Sequence, residues 1–412
     1  MSQSQTADRS AAPLAATGSP TGRSREMELL LCCTRAAFGA DETASIGELV
    51  ESGIDWDALI RDAETLGVLP LLCRTRFPSQ AVPEDVGIRL ETYLHSNARR
   101  NLFLARELLK ILRILDERGI PAIPLKGPTL AALAYGDLAL RQYSDLDLLL
   151  RQSDILNATH ALAAHHYTLR LAFTPEQLEQ ELRSEHIHHL ELVDPSRRML
   201  IELHWHLMQE RFFFKPDLGG IWERRVQRQL VGTAVDSLDP EDLVIFLCVH
   251  GWKHHWSRLI WIADLAGLIR NTTVDWRRLL DRAADLASKR RVLLGFGLAK
   301  HLLHTPLPAI LEQEIRADRS LDKLVLQAER NLISQELPSS GRFMPYRHAL
   351  ELGEGVSHRT RILYTFVRKN ARLNENDFAW IKLPRPLFFL YYPLHPVRLL
   401  ARAIARAFGA RE

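Results

Sequence analysis

Apolar positions in the first third of the chain recur at three- and four-residue intervals. In VGIRLETYLHSNARRNLFLARELLKILRILDERG, Leu104, Leu108, Ile111, Leu112 and Leu115 form the stripe that a helix buries on one side, and Gly119 stops it. EMELLLCCTRAAF and IDWDALIRDAETLGVLPLLCRTRF are also helical in pattern, so the chain reads as helices from Arg25 to about Glu117. The period then changes. IPAIPLKG is a short apolar run bounded by Pro and Gly, and SDLDLLL alternates polar with apolar before becoming wholly apolar, so both predict strands. Between them PTLAALAYG predicts a short helix opened by Pro128, whose missing N–H costs little in a first turn.

A helix is next predicted over SDILNATHALAAHH, followed by a hairpin in which HIHHLELVD and MLIELHWHL flank a turn at PSRR. A symmetric turn about Pro195 to Arg198 sets Val193 opposite Leu200, Glu191 opposite Glu202 and His189 opposite His204. The sheet is predicted to end there. Helices resume at Pro240, first over EDLVIFLCVHGWKHHWSRLIWIADLAGLI, then over VDWRRLLDRAADL and RRVLLGFGLAKHLL. The fold class is therefore α+β, a small mixed sheet flanked by N- and C-terminal helical regions.

Composition narrows the classes. At 412 residues the chain is long enough for two or three units, and 46% hydrophobic with 25% charged residues is the balance of a soluble globular protein. The 53 Lys and Arg residues exceed the 50 acidic ones by only three, so any nucleic-acid or anion site must be local. Cys32, Cys33, Cys73 and Cys248 lie in apolar stretches without a CxxC pair, which predicts buried thiols in a reducing cytoplasm. Residues 1–24, rich in Ser, Ala, Thr and Pro, read as a disordered leader, and no run of ~20 apolar residues predicts a membrane span. The last stretch ends in a helix with Arg398, Arg402 and Arg406 at four-residue spacing. Docking across the helical region is its expected use, and contact with an anionic membrane surface or RNA is the alternative.

Chemistry concentrates in the sheet. On a strand, Asp145 and Asp147 fall on one face while Leu146 and Leu148 point to the core. Two convergent carboxylates suit Mg²⁺, which completes its octahedron with water and substrate phosphates. Upstream, Gly127 lets the backbone approach a phosphate at the N-terminus of the predicted helix, and Lys126 or Arg141 supplies positive charge, with Ser144 nearby. His186, His188, His189, His204 and His206 raise the possibility of zinc, but no Cys accompanies them, and they are expected to position acceptor or phosphate groups or to pack at the cleft wall. In the helix after Pro240, His250, His254 and Arg258 recur every four residues with Lys253 and Trp261 near the same face. That stripe is expected to face the cleft and meet an anionic substrate.

LKGPTLAALAYGDLALRQYSDLDLLL, then IELHWHL, then HGWKHHWSRLIWIADLAGLI resemble, in that order, the bacterial family of uncharacterised nucleotidyltransferases in the polymerase-beta-like superfamily. The resemblance implies an Mg²⁺- or Mn²⁺-dependent enzyme that transfers a nucleoside monophosphate from an NTP to an acceptor hydroxyl. It makes Asp145 and Asp147 the metal ligands and Glu202 the third catalytic carboxylate. Lys126 and Gly127 stand at the phosphate-holding turn. The wider superfamily usually has a second glycine or a serine there, where this chain has Pro128, so the cradle is expected to rest on Gly127, Thr129 and the Lys126 side chain. Arg141 and Ser144 complete the expected nucleotide contacts, and His189, His204, His250, Lys253, His254 and Arg258 the acceptor or phosphate contacts.

The implied organisation is an N-terminal helical region over 25–118, a nucleotidyltransferase core over 119–215, a C-terminal helical region over 216–340 and a helical tail over 341–412. The acceptor is left open among a small molecule, peptide, saccharide or RNA. The K-G-x-T-L and R-x-x-S-D-x-D runs also resemble toxin-type nucleotidyltransferases that modify tRNA. A catalytically silent nucleotide-binding scaffold is the alternative outside enzymes.

Overall fold

The computed structural model describes residues 23–334, apart from 79–80, 183–186, 195–198 and 210–211, together with scattered positions between 350 and 398. Five helices come first: α1 (Arg25–Ala37), α2 (Thr43–Glu51), α3 (Trp56–Thr65), α4 (Leu69–Arg74) and the long α5 (Glu84–Asp116). The sheet unit follows as β1 (Ile123–Pro124), α6 (Pro128–Tyr135), β2 (Asp145–Leu149), α7 (Ile155–Ala163), β3 (Thr168–Leu169), α8 (Pro175–Leu182), β4 (His189–Asp194) and β5 (Met199–His204). Helix α9 (Leu218–Arg224) and the hairpin β6 (Val226–Leu230) and β7 (Thr233–Ser237) lead into α10 (Pro240–Lys253), α11 (Leu259–Asn271), α12 (Trp276–Asp285), α13 (Lys289–Leu303), α14 (Ala309–Ala317) and α15 (Leu321–Ser334). The predicted α+β class holds, with helices on both sides of a mixed sheet.

The five-stranded sheet has the order β1-β2-β5-β4-β3. Only β2 and β5 run parallel; β1 with β2, β4 with β5, and β3 with β4 are antiparallel. The β4–β5 hairpin adopts the expected register, with Val193 opposite Leu200, Glu191 opposite Glu202 and His189 opposite His204. Its turn and His186 lie outside the described residues. A second core under the sheet takes Leu104, Leu108, Ile111 and Leu115 of α5 together with Leu146, Leu148, Leu192, Ile201 and Leu203.

The other core joins the two helical regions. Leu29, Leu30, Leu59 and Leu72 from the N-terminal helices share it with Leu247, Leu265, Val292 and Phe296 from the C-terminal ones. Backbone and charge contacts reinforce the joint: Ile260 N–H donates to Leu66 O at 3.1 Å, and buried Arg35 donates to Leu302 O at 3.2 Å. All four thiols are free, and burial pushes those of Cys32, Cys33 and Cys73 up to about 12. Among the described residues no helix is long and apolar enough to cross a membrane. Arg398 is buried, while Arg402 and Arg406 lie outside the described residues.

Two readings of the sequence are corrected. The single helix expected over EDLVIFLCVHGWKHHWSRLIWIADLAGLI is two helices, because His255 and Trp256 take left-handed φ values of 56° and 54°. Each such residue costs about 1–2 kcal/mol. The turn is held by the N–H of Trp256 on Gly251 O at 2.8 Å, and it buries the Trp256 indole, 1% exposed, in the core. The five-stranded sheet ends at β5 as expected, but strands do not, since β6 and β7 follow as a separate hairpin before Pro240. Val231 and Gly232 both have positive φ there, the geometry of a tight two-residue turn, and a β-branched residue in the first place disguised it.

The segment that delivers the chain into β2 is clamped from two sides. Arg141 makes a two-pronged ion pair with Asp264 of α11, Nε to Oδ1 at 2.9 Å and Nη2 to Oδ2 at 3.0 Å, and Tyr135 OH donates to the same carboxylate at 2.9 Å. From α5, Asn101 Nδ2 donates to the carbonyls of Leu138 at 2.6 Å and Arg141 at 2.8 Å. Helix α11 lies so close to α6 that a Cβ on Gly267 would collide with the backbone of Ala134. Because Arg141 and Asp264 are both buried, removing one charge strands the other. Asp264→Asn is therefore expected to lower stability by about 3–5 kcal/mol, read as the urea unfolding midpoint. An unchanged midpoint would show that the pair carries no structural weight.

Candidate active site

The parallel register of β2 against β5 sets Asp147 directly beside Glu202. Strand periodicity puts Asp145 one pleat before Asp147 on the same face and His204 one pleat after Glu202, while Leu146, Leu148 and Leu203 are buried on the other. On the far side, Leu125 N–H donates to Asp147 O at 2.9 Å, and this carries Lys126 to the same edge. Four side chains meet as a result. Lys126 Nζ lies 2.9 Å from Asp147 Oδ2, and His204 Nε2 lies 3.3 Å from Asp147 Oδ1 and 3.0 Å from Glu202 Oε2.

The charges in this cluster decide one another. Asp145 is pushed above the ordinary carboxylate value, first by burial and then by the neighbouring charge of Asp147. Burial presses Asp147 the same way, but Lys126 and His204 outweigh it and hold its carboxyl well below the usual range. Burial works against the charged forms of Lys126 and His204, and their carboxylate partners overcome it, so both are raised. The surrounding imidazoles behave oppositely. Burial, aided by His204 and His189, takes His188 down to about 2, and burial with Lys253 takes His254 down to about 3. His189 is lowered by burial and His204, and His250 well below its ordinary value by burial and Lys126. His204, between carboxylates, is thus the imidazole whose charged form is favoured, inside a ring of imidazoles whose charged forms are disfavoured.

Gly127 opens α6 with φ 64° and ψ −129°, a conformation open to glycine and strained for other residues. Thr129 Oγ1 donates to Lys126 O at 2.9 Å, and Ser144 is exposed at the rim. Arg141, expected near the nucleotide, is engaged by Asp264. The stripe expected on one helix is divided: His250 lies in α10, His254 caps it, and Arg258 begins α11 with Nε donating to Thr65 O at 3.1 Å. The rings of His250 and His254 lie 4.8 Å apart and pack against Trp261 at 5.6 and 5.2 Å, within reach of the Lys126 charge. Sequence reasoning missed Asp264, although an Asp inside the apolar run IWIADLAGLI is itself a signal that a buried partner exists.

Among the described residues, three sets of side chains bring ligand atoms within 4.8 Å of one another: Asp147, Glu202 and His204; His189, Glu191 and Glu202; and His188, His189 and His204. Asp145 stands outside these sets and is tied to them through its interactions with Asp147, Lys126 and Glu202. The first two sets are rich in carboxylate oxygen, the donor that hard divalent ions prefer.

Among curated proteins none matches the chain. Of solved structures, the solution structure of the antibiotic-resistance factor ANT(2'')-Ia aligns with 56% of this chain and 98% of its own at 11% identity, with a TM-score of 0.28. Residues 52–304, well over half of the chain, match the family described as uncharacterised nucleotidyltransferase. The chain belongs to that family, and it is an enzyme that transfers nucleotides.

Proposed function

We propose that the enzyme transfers a nucleoside monophosphate from an NTP to an acceptor hydroxyl, with loss of pyrophosphate, and that the transfer depends on a divalent metal. The observation that carries this reading is the β2–β5 register, which adds Glu202 to the Asp145 and Asp147 pair at one edge of the sheet. These carboxylates would hold Mg²⁺ or Mn²⁺, and their hard oxygens fit such an ion. Once bound, the ion supplies charge neutralisation at the phosphates of the NTP.

The remaining roles follow from the side chains themselves. Both oxygens of Asp147 have partners, Lys126 on one and His204 on the other, so Asp147 would give up at least one of them to hold a metal. Lys126 has the flexible stem and keeps its charge, which suits it to swing onto a phosphate. Gly127 and Thr129 would let the start of α6 approach that phosphate, where backbone N–H groups and the helix dipole favour negative charge. Ser144 at the rim is assigned to the nucleotide as well. Arg141 would serve the site through Asp264, holding the approach to β2. Glu202 is assigned to accept the acceptor proton or complete the metal site, and His204 to orient it.

His189, His250, Lys253 and His254 line the side toward α10 and are assigned to phosphate or acceptor contacts, with Arg258 at its outer end. The acceptor belongs to one of four classes: small molecule, peptide, saccharide or RNA. The NTP substrate and the free thiols fit the cytoplasmic setting expected from the sequence.

Supplying NTP labelled separately on the α- and γ-phosphates, with Mg²⁺ and acceptors of each class, tests the reaction. Label from the α-phosphate is expected in the product and γ-label in pyrophosphate. Asp145→Asn and Asp147→Asn should each cut the rate by roughly 10²–10³-fold, the cost of losing one electrostatic stabiliser of the transition state. Passage of γ-label into the product, or unaltered turnover by either variant, would contradict the assignment. ATP binding by calorimetry is expected to tighten with Mg²⁺, since a bridging metal needs both carboxylates and phosphates. Equal affinity with and without the ion counts against a bridge.

A further inference from the structure

Next to the carboxylates, the end of the β4–β5 hairpin carries a second cluster of different chemistry. His188, just before β4, His189 within it, and His204 at the end of β5 each bring one ring nitrogen within 4.8 Å of the other two. Nδ1 of His188 and Nδ1 of His189 face each other at 3.3 Å. That separation equals the edge of a tetrahedron whose metal–nitrogen bonds are ~2.0–2.1 Å.

The Nε2 atoms of His189 and His204 lie near carboxylates. Nε2 of His189 lies 3.7 Å from Glu191 Oε1 and 3.9 Å from Glu202 Oε2, and Nε2 of His204 lies 3.0 Å from Glu202 and 3.3 Å from Asp147. Carboxylates behind the ring are what metal-binding histidines usually have, because they take the Nε2 proton and leave Nδ1 to the ion. In His204, which is 7% exposed, Nδ1 is buried and has no hydrogen-bond partner. A buried polar atom without a partner is uncommon and calls for an occupant.

We propose that His188, His189 and His204 form a second metal site, adjoining the carboxylate site through His204, which takes a divalent ion of the Zn²⁺ class through their Nδ1 atoms. Imidazole nitrogen selects such ions over Mg²⁺, which keeps to oxygen ligands. Binding releases to solvent any proton carried on Nδ1 and leaves the Nε2 contacts to the carboxylates intact. Lys253 repels a cation at this position, while Glu191 and Glu202 beside His189 and Asp147 beside His204 attract one. The site does not rest on nucleotidyl transfer: failure of the labelling experiment leaves it standing, and its own failure leaves the transferase reading intact.

The full chain, stripped with a chelator, would be titrated with Zn²⁺ against a chromophoric competitor and with Co²⁺ by visible absorption, Mg²⁺ being in large excess throughout. One equivalent of Zn²⁺ and the ligand-field bands of nitrogen-bound Co²⁺ are expected. His188→Gln and His189→Gln should each weaken Zn²⁺ by at least ~10–100-fold and alter the Co²⁺ spectrum, while Asp145→Asn changes neither. No retained Zn²⁺, or binding kept in both histidine variants and lost in Asp145→Asn, overturns the proposal. If circular dichroism shows that the buried His188→Gln does not fold, the half-buried His189→Gln decides the matter.

Discussion

Everything at the site depends on β2 lying parallel to β5. These strands are separated in sequence by α7, β3, α8 and β4, and hydrogen bonding in this one register puts Asp147 beside Glu202 and Leu149 beside His204. A slip of one residue would turn Glu202 into the core and bring Leu203 to the polar face. Burial enforces the register, because Leu146, Leu148, Ile201 and Leu203 are all close to fully buried and have no other place to go. The hydrophobic pattern of two strands therefore sets the chemistry at their edge.

That edge is then held from outside the sheet. Arg141 and Asp264 tie the entrance of β2 to α11, and α11 belongs to the core in which both helical regions meet. The same core carries α10, which brings His250 and Lys253 over the side of Lys126. The helices thus form a frame on one side of the carboxylate cluster. A buried ion pair adds little net stability over apolar packing, but its two-pronged geometry permits a single orientation, which is what a positioned carboxylate cluster needs.

Much of this was legible in the sequence, for a physical reason that varies by element. The strand–helix–strand unit and the β4–β5 register follow from period-two alternation and turn chemistry, and the hairpin emerged with the expected partners. The left-handed turn at His255 and Trp256 did not, since the apolar stripe continues through it and only tertiary burial of the indole selects it. The β6–β7 hairpin was hidden by Val231 in a position that usually signals through Asn or Gly. Asp145, Asp147 and Lys126 were legible as neighbours of one edge. The engagement of Arg141 by Asp264 was not, because the partners lie 123 residues apart.

The central claim is that the carboxylates on β2 and β5 hold the ion that engages the nucleotide. A crystal structure with Mn²⁺ and a non-hydrolysable NTP, with the ion located by its anomalous scattering, tests it most directly. The account predicts a peak among the carboxylate oxygens of Asp145, Asp147 and Glu202, at roughly 2.0–2.2 Å from them and shared with phosphate oxygen. Nucleotide-bound Mn²⁺ at any other place on the chain, with those three carboxylates left uncoordinated, would contradict it.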